Sequence, residues 1–196
     1  LYAFQTDTGD HVWGATPGGP PKDAPYSHPV VEWRDGRRAL YAGLGDGYVA
    51  GVDARTGQPL WRSRLATGGI NASPVVHEDK LVVVHGRENL DSSVIGRLLA
   101  LPLGRAPEER SGPAVELTAA DELWRNDDLA SFTSSPVLVG DRTYITVQVG
   151  ELYCNDANTG ETLWKLKLAP DQIHASPAYG DGKLYVSSWC AAPRVA

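Results

Sequence analysis

Three stretches decide the fold: Ala3-Phe4-Gln5-Thr6-Asp7-Thr8-Gly9-Asp10-His11-Val12-Trp13, Gly51-Val52-Asp53-Ala54-Arg55-Thr56-Gly57-Gln58-Pro59-Leu60-Trp61 and Cys154-Asn155-Asp156-Ala157-Asn158-Thr159-Gly160-Glu161-Thr162-Leu163-Trp164. Each is eleven residues long, with a small residue first, Thr-Gly at positions six and seven, and Trp last. The Asp of the second and third copies can accept backbone N–H bonds in an Asx-type turn, and Gly supplies the positive φ of a hairpin. Trp then enters a strand, where it can bury roughly 150–250 Å². A small first residue leaves room for that ring.

A second element recurs between these copies. Pro29, Pro74, Pro136 and Pro177 each open a short run such as Ser73-Pro74-Val75-Val76 or Ser135-Pro136-Val137-Leu138. Val82, Tyr144 and Tyr185 stand eight residues after the last three prolines, each in a β-rich run, and Tyr41 stands twelve after Pro29. One unit is therefore about 40–48 residues of four short strands, the period of a propeller blade. The expected boundaries are a blade tail over 1–16, whole blades over 17–64, 65–127 and 128–167, and a blade head over 168–196. The third unit departs from the pattern. It gains a stretch at 86–93, and its Thr-Gly turn is replaced by a longer segment with an insert at 104–121. Both inserts read as solvated loops.

Composition agrees. The 196 residues include 21 Gly and 14 Pro, a load that argues for turns and against a helical bundle. An apolar fraction of 42% suffices for a core. No apolar run is long enough to span a membrane as a helix. A net charge of -6 disfavours a nucleic-acid partner. The chain starts Leu1-Tyr2-Ala3-Phe4 and has no Met, so it is expected to be processed or cut from a longer protein. Blade arithmetic sharpens this to an open arc with apolar cut faces prone to associate.

The eleven-residue pattern resembles the tryptophan-docking motif of the pyrroloquinoline-quinone (PQQ) propeller family, over Leu1 to about Ser188. The resemblance implies an all-β propeller of four-stranded antiparallel blades, here an incomplete arc of a seven- or eight-bladed ring. It also implies a periplasmic or secreted location. The run Asn71-Ala72-Ser73-Pro74 through His85-Gly86-Arg87-Glu88-Asn89-Leu90-Asp91 is most similar to uncharacterised PQQ-like repeat proteins and to the outer-membrane assembly lipoprotein type. Two functions are thereby implied. One is a non-catalytic interaction platform meeting a protein partner through its loops, with no cofactor. The other is part of a quinoprotein alcohol or sugar dehydrogenase, with PQQ and Ca²⁺ as cofactors. The dehydrogenases' adjacent cysteine pair has no counterpart here, since Cys154 and Cys190 are separate.

The candidate site residues fall in three groups. Tyr26, Asn71, Thr133 and His174 stand three residues before the repeat prolines, and His28 stands one before, with Ser73, Ser135 and Ser176. They are candidates for a polar site at one end of the central channel. The alternative is that they satisfy strand-end backbone groups. Arg87, Glu88, Asn89 and Asp91 form a loop that could meet a partner. The oxygens of the last three suit Ca²⁺ by type, yet they have no EF-hand spacing. Trp13, Trp61, Trp124 and Trp164 are read as structural docking residues by their periodicity. No catalytic residue and no metal ligand is expected: the five histidines have no metal-site spacing, and no G-x-S-x-G, P-loop or G-x-G-x-x-G motif occurs. Cys154, at a motif position that wants a small residue, is expected to be a buried, inert thiol.

Overall fold

In a computed structural model, residues 1–34, 36–104 and 113–188 are described. Among them there is no α-helix, and the chain folds as successive antiparallel meanders. The first sheet is a pair, β1 (Tyr2–Phe4) and β2 (His11–Gly14). The second is built from β3 (Val30–Arg34), β4 (Arg37–Gly43), β5 (Tyr48–Asp53) and β6 (Pro59–Arg64). The third uses β7 (Val75–His77), β8 (Lys80–Glu88), β9 (Ile95–Pro102) and, after an excursion through β10 (Val115–Leu117), β11 (Trp124–Asn126). The fourth is β12 (Val137–Val139), β13 (Arg142–Val147), β14 (Glu151–Asp156) and β15 (Thr162–Lys167). The fifth is a pair, β16 (Ala178–Gly180) and β17 (Lys183–Tyr185). We refer to these sheets as blades one to five.

From blade two onward the first strand of each blade neighbours the first strand of the next: β3 meets β7, β7 meets β12 and β12 meets β16. The innermost strands thus line one axis, and the chain is an arc of a β-propeller. Two apolar clusters fill the clefts between blades. One joins Tyr41, Val49 and Trp61 to Leu81, Leu99 and Leu101. The other joins Val82, Leu98 and Ala100 to Ile145, Val147 and Tyr153.

The eleven-residue repeat folds alike each time. Its first residue pairs directly with its Trp: Ala3 with Trp13, Gly51 with Trp61, Cys154 with Trp164. A register shift follows that first residue in all three. Asp53 Oδ1 accepts the N–H groups of Arg55 and Thr56 at 2.9 Å, and Asp156 Oδ1 accepts those of Asn158 and Thr159 at 2.7 and 3.1 Å. Gly9, Gly57 and Gly160 have φ of 76°, 75° and 76°, which a side chain rarely adopts. The Trp ring lies on the turn glycine of the following blade. A β-carbon on Gly57 would collide with the Trp13 ring, and one on Gly160 with the Trp124 ring. Trp13 Nε1 also donates to the Ala54 carbonyl at 3.1 Å.

Both inserts depart from the expected loops. The stretch 86–93 begins as strand: β8 runs through Glu88 and pairs Glu88 with Ile95 past a bulge after His85. Only the tip is a turn, because the β8–β9 pairing simply continues outward. The second insert contributes β10, which lies parallel to β6 at the outer edge of blade two, with Val115 opposite Trp61. Arg62 binds Glu116 at 2.6 Å, and Ser63 Oγ donates to the Leu117 carbonyl at 3.1 Å. An unpaired strand edge is a template for such addition. Residues 105–112 of that insert lie outside the described residues, as does Cys190 with its possible pairing to Cys154. Cys154 itself is a free thiol, fully buried, and burial pushes its pKa up.

Candidate functional site: the linker face

In blades two to four the linker to the next inner strand and the turn between the second and third strands fall at the same end. That end carries both the channel-mouth and the loop candidates. One residue before each proline, a ladder of hydrogen bonds crosses from blade to blade. The N–H of His28 donates to Ser73 Oγ at 2.8 Å, that of Ser73 to Ser135 Oγ at 2.8 Å, and that of Ser135 to Ser176 Oγ at 2.9 Å. The hydroxyls therefore satisfy strand-end donors. His28 Nδ1 lies 2.6 Å from Ser73 Oγ, which ties the ring into the ladder.

The set three residues before each proline is split. Thr133 and His174 come together: Thr133 Oγ1 donates to the His174 carbonyl and lies 3.1 Å from its Nδ1. His174 Nε2 is 3.0 Å from Gln172 Oε1, so both ring nitrogens are partnered. Asn71 is buried, and both atoms of its amide lack a protein partner. Tyr26 projects into solvent. These residues do not converge on one point.

The loop candidates are turned to internal use. Arg87 donates to Asp23 Oδ2 at 2.5 Å, and its guanidinium lies 4.5 Å from the Phe132 ring centre. Glu88 Oε2 accepts from Thr67 Oγ1 at 3.0 Å. Asn89 is buried, and its Nδ2 donates to the Val94 and Gly96 carbonyls at 2.8 and 3.1 Å. Asp91 accepts two bonds from Arg97 at 2.9 and 3.2 Å and one from Arg125 at 2.7 Å. The Arg97 guanidinium holds the Asp91 carboxyl below the usual carboxylate range. Arg97 is itself buried and reaches Asp127 at 2.5 Å on the neighbouring linker. Across the ladder from it, His85 is buried, and desolvation first, then the Arg97 charge, lowers its pKa to about 4. The hairpin of blade three is thus stiffened by charge pairs from two sides.

What the hairpin presents outward is apolar. Leu90, Val94 and Ile95 are 47%, 43% and 56% exposed, and Val149 on the adjoining turn of blade four is 58% exposed. Between Ile95 and Val149 lies a groove of about 200 Å³, floored by Leu129, Val147 and Tyr153, with Asp127 and Asp128 at its rim. Sequence reasoning singled out the polar members of this stretch and passed over the apolar ones. The signal was legible: three large aliphatic residues within six positions of a projected loop.

These residues do not fit the calcium of a quinoprotein. Asp23, Asp91 and Asp127 are each held by an arginine. Among the described residues, no group of three or more His, Cys, Asp or Glu is placed to hold a metal ion. No helix is long and apolar enough to cross a membrane.

The tandem four-stranded sheets and their Trp-to-Gly contacts define a propeller protein built from PQQ-type repeats. A family model described as outer membrane protein assembly factor BamB matches residues 1–101 and 113–192, and the chain belongs to that family. A search of curated proteins gives no match. Among solved structures, the chain is similar to quinohemoprotein alcohol dehydrogenase from Comamonas testosteroni: 14% identity, TM-score 0.59, covering 94% of this chain and 36% of that one. It is also similar to a chain of the mitotic checkpoint complex, at 13% identity and TM-score 0.61, covering 93% and 48%. A third likeness is to the computationally designed Ika8 protein, at 13% identity and TM-score 0.54, covering 74% and 38%. At such identities the likeness is one of fold, and the chain spans less than half the length of each of these structures.

Proposed function

We propose that this chain is a non-catalytic propeller region acting as an extracytoplasmic interaction platform, periplasmic or secreted, with a protein partner seated on the linker face at the hairpin of blade three. One observation carries the reading. Leu90, Val94 and Ile95 are held out in solvent by a hairpin whose own polar groups are spent on bracing it. Rigid, exposed apolar anchors beside a shallow groove are what a protein interface uses at its centre. Membership of a family named for an outer-membrane assembly factor supports the same class of function and location. Trp13, Trp61, Trp124 and Trp164 serve the blades in this reading, and the Thr133–His174 pair serves the linkers.

The test is site-specific photo-crosslinking in the native cell. A photoreactive residue at Ile95 should give a discrete crosslinked protein that disappears when Leu90→Asp is added. A photoreactive residue at Arg55, in a turn at the opposite end of the blades, should give none. Equal products at both positions, or none at Ile95, would overturn the platform. The rival reading, part of a PQQ- and calcium-dependent alcohol or sugar dehydrogenase, predicts dye reduction with alcohols or sugars after reconstitution with PQQ and Ca²⁺.

A further inference from the structure

The groove between blades three and four has room for one side chain, and its walls are held in place. Ile95 of β9 stands on one side and Val149 of the β13–β14 turn on the other, above Leu129, Val147 and Tyr153. Both walls are tied to the linker at Ala130. Gly96, next to Ile95, lies so close that a β-carbon on it would collide with Ala130. The N–H of Gln148, next to Val149, donates to the Ala130 carbonyl at 3.4 Å. The lysines nearby are engaged: Lys167 donates to the Val149 carbonyl, and the Lys165 ammonium lies 5.6 Å from the Tyr153 ring centre. A cavity of roughly 150 Å³ admits a benzene-sized group. The groove, at about 200 Å³, thus takes one large aliphatic side chain. Its rim carries two carboxylates in different states. Arg97 holds Asp127. Asp128 is exposed, and among the described residues no cation or hydrogen-bond donor holds its carboxylate. Its backbone is fixed all the same, because its N–H donates to Asn126 Oδ1 at 2.9 Å while Asn126 Nδ2 donates to the Gly160 carbonyl at 2.7 Å.

We propose that this groove receives an extended protein segment in which a large aliphatic residue lies beside a lysine or arginine. The aliphatic side chain enters between Ile95 and Val149, and the cation meets Asp128. The proposal rests on the platform reading above and gives its partner a chemistry. Charge selects this occupant. Asp128 is the acid that the rim leaves over, and a cation brought by the partner completes it as Arg97 completes Asp127. A tip that enters a bilayer carries Lys and Arg around its apolar residues. The arginines of this hairpin are instead consumed: Arg97 by Asp91 and Asp127, and Arg125 by Asp91 and Glu122. Leu90, Val94 and Ile95 therefore stand beside an uncompensated anion. A charge on the rim of an interface acts chiefly on which partner is chosen, so the signature of this site is a charge preference coupled to an apolar anchor.

Immobilised peptide libraries, random except for a central pair of residues, test this with the full-length protein. Libraries with Leu beside Arg or Lys, in either order, should retain it about tenfold better than those with Leu beside Glu or Ser beside Arg. Asp128→Lys should turn the preference toward Leu beside Glu. Val149→Asp, a change at an exposed position, should abolish retention with unchanged circular dichroism. Raising the salt from about 50 to about 500 mM should narrow the preference for the cation. Equal retention on Leu-Arg and Leu-Glu libraries, or a preference that Asp128→Lys leaves unmoved, would overturn the proposal while a crosslink at Ile95 in the cell still upheld the platform. Absence of that crosslink would remove the platform, and the proposal with it. Binding to phosphatidylethanolamine–phosphatidylglycerol vesicles above that to the Leu-Arg library, or a dimer that Val149→Asp dissolves, would give the groove to a bilayer or to a second copy and overturn the proposal as well.

Discussion

The third and fourth blades descend from one sequence pattern and meet its demands differently. Blade four keeps the Asp-x-x-Thr-Gly turn, and Gly160 receives the Trp124 ring of blade three. Blade three has no such turn to receive Trp61. Instead Leu99, Leu101 and Leu103 of its third strand and the start of its insert pack into the same cluster as that ring. The insert then returns as β10 alongside β6, opposite Trp61 itself. A propeller junction can thus be sealed by a glycine turn or by an added strand. Either way the outer-strand Trp at these two junctions is covered, which takes a large apolar surface out of water.

Substitutions separate the two solutions. Trp61→Ala removes a ring that is 5% exposed at the junction without a docking glycine, and should cost about 3–5 kcal/mol by chemical denaturation. A loss well below 1 kcal/mol would show that β10 and the leucines do not depend on the ring. Gly160→Ala places a β-carbon against Trp124 at a φ of 76° and should cost about 2–4 kcal/mol. Coupling with Trp124→Ala should recover the steric share of that loss, leaving about 1 kcal/mol of backbone strain.

The hairpin of blade three carries a pH dependence on the acid side through His85. His85 has its folded pKa, about 4, below its ordinary value of 6.5, so the unfolded chain binds the proton better. Stability from this group is whole above pH 6.5 and falls as pH drops toward 4, by roughly 3 kcal/mol at 1.36 kcal/mol per unit. His85→Gln should flatten the melting temperature across that window. Val115→Pro should pry β10 from β6 and cost about 1–2 kcal/mol, with Trp61 fluorescence shifting red as water reaches the ring. The smallest effect belongs to Trp164→Ala. That ring is 40% exposed, and its loss should cost about 1 kcal/mol.

The repeat by itself determined the architecture. Spacing of Pro, Thr-Gly and Trp specifies four short strands and their turns, because Gly at positive φ and a small residue opposite Trp are local requirements. It also determined that Ser73, Ser135 and Ser176 stand in equivalent places. Only tertiary structure decided what those places do. The serines serve a ladder between blades, since each hydroxyl meets an N–H from a strand 41 to 62 residues away. Asn89 and Asp91 looked like an open polar loop and are bracing groups, because the Val94 and Gly96 carbonyls take the Asn89 amide and Arg97 and Arg125 come to Asp91 from β9 and β11. Leu90, Val94 and Ile95 became the outward face for the same reason. The strand identity of β10 was beyond sequence as well: three residues acquire it only by meeting the unpaired edge of β6, and an edge is a property of the assembled sheet.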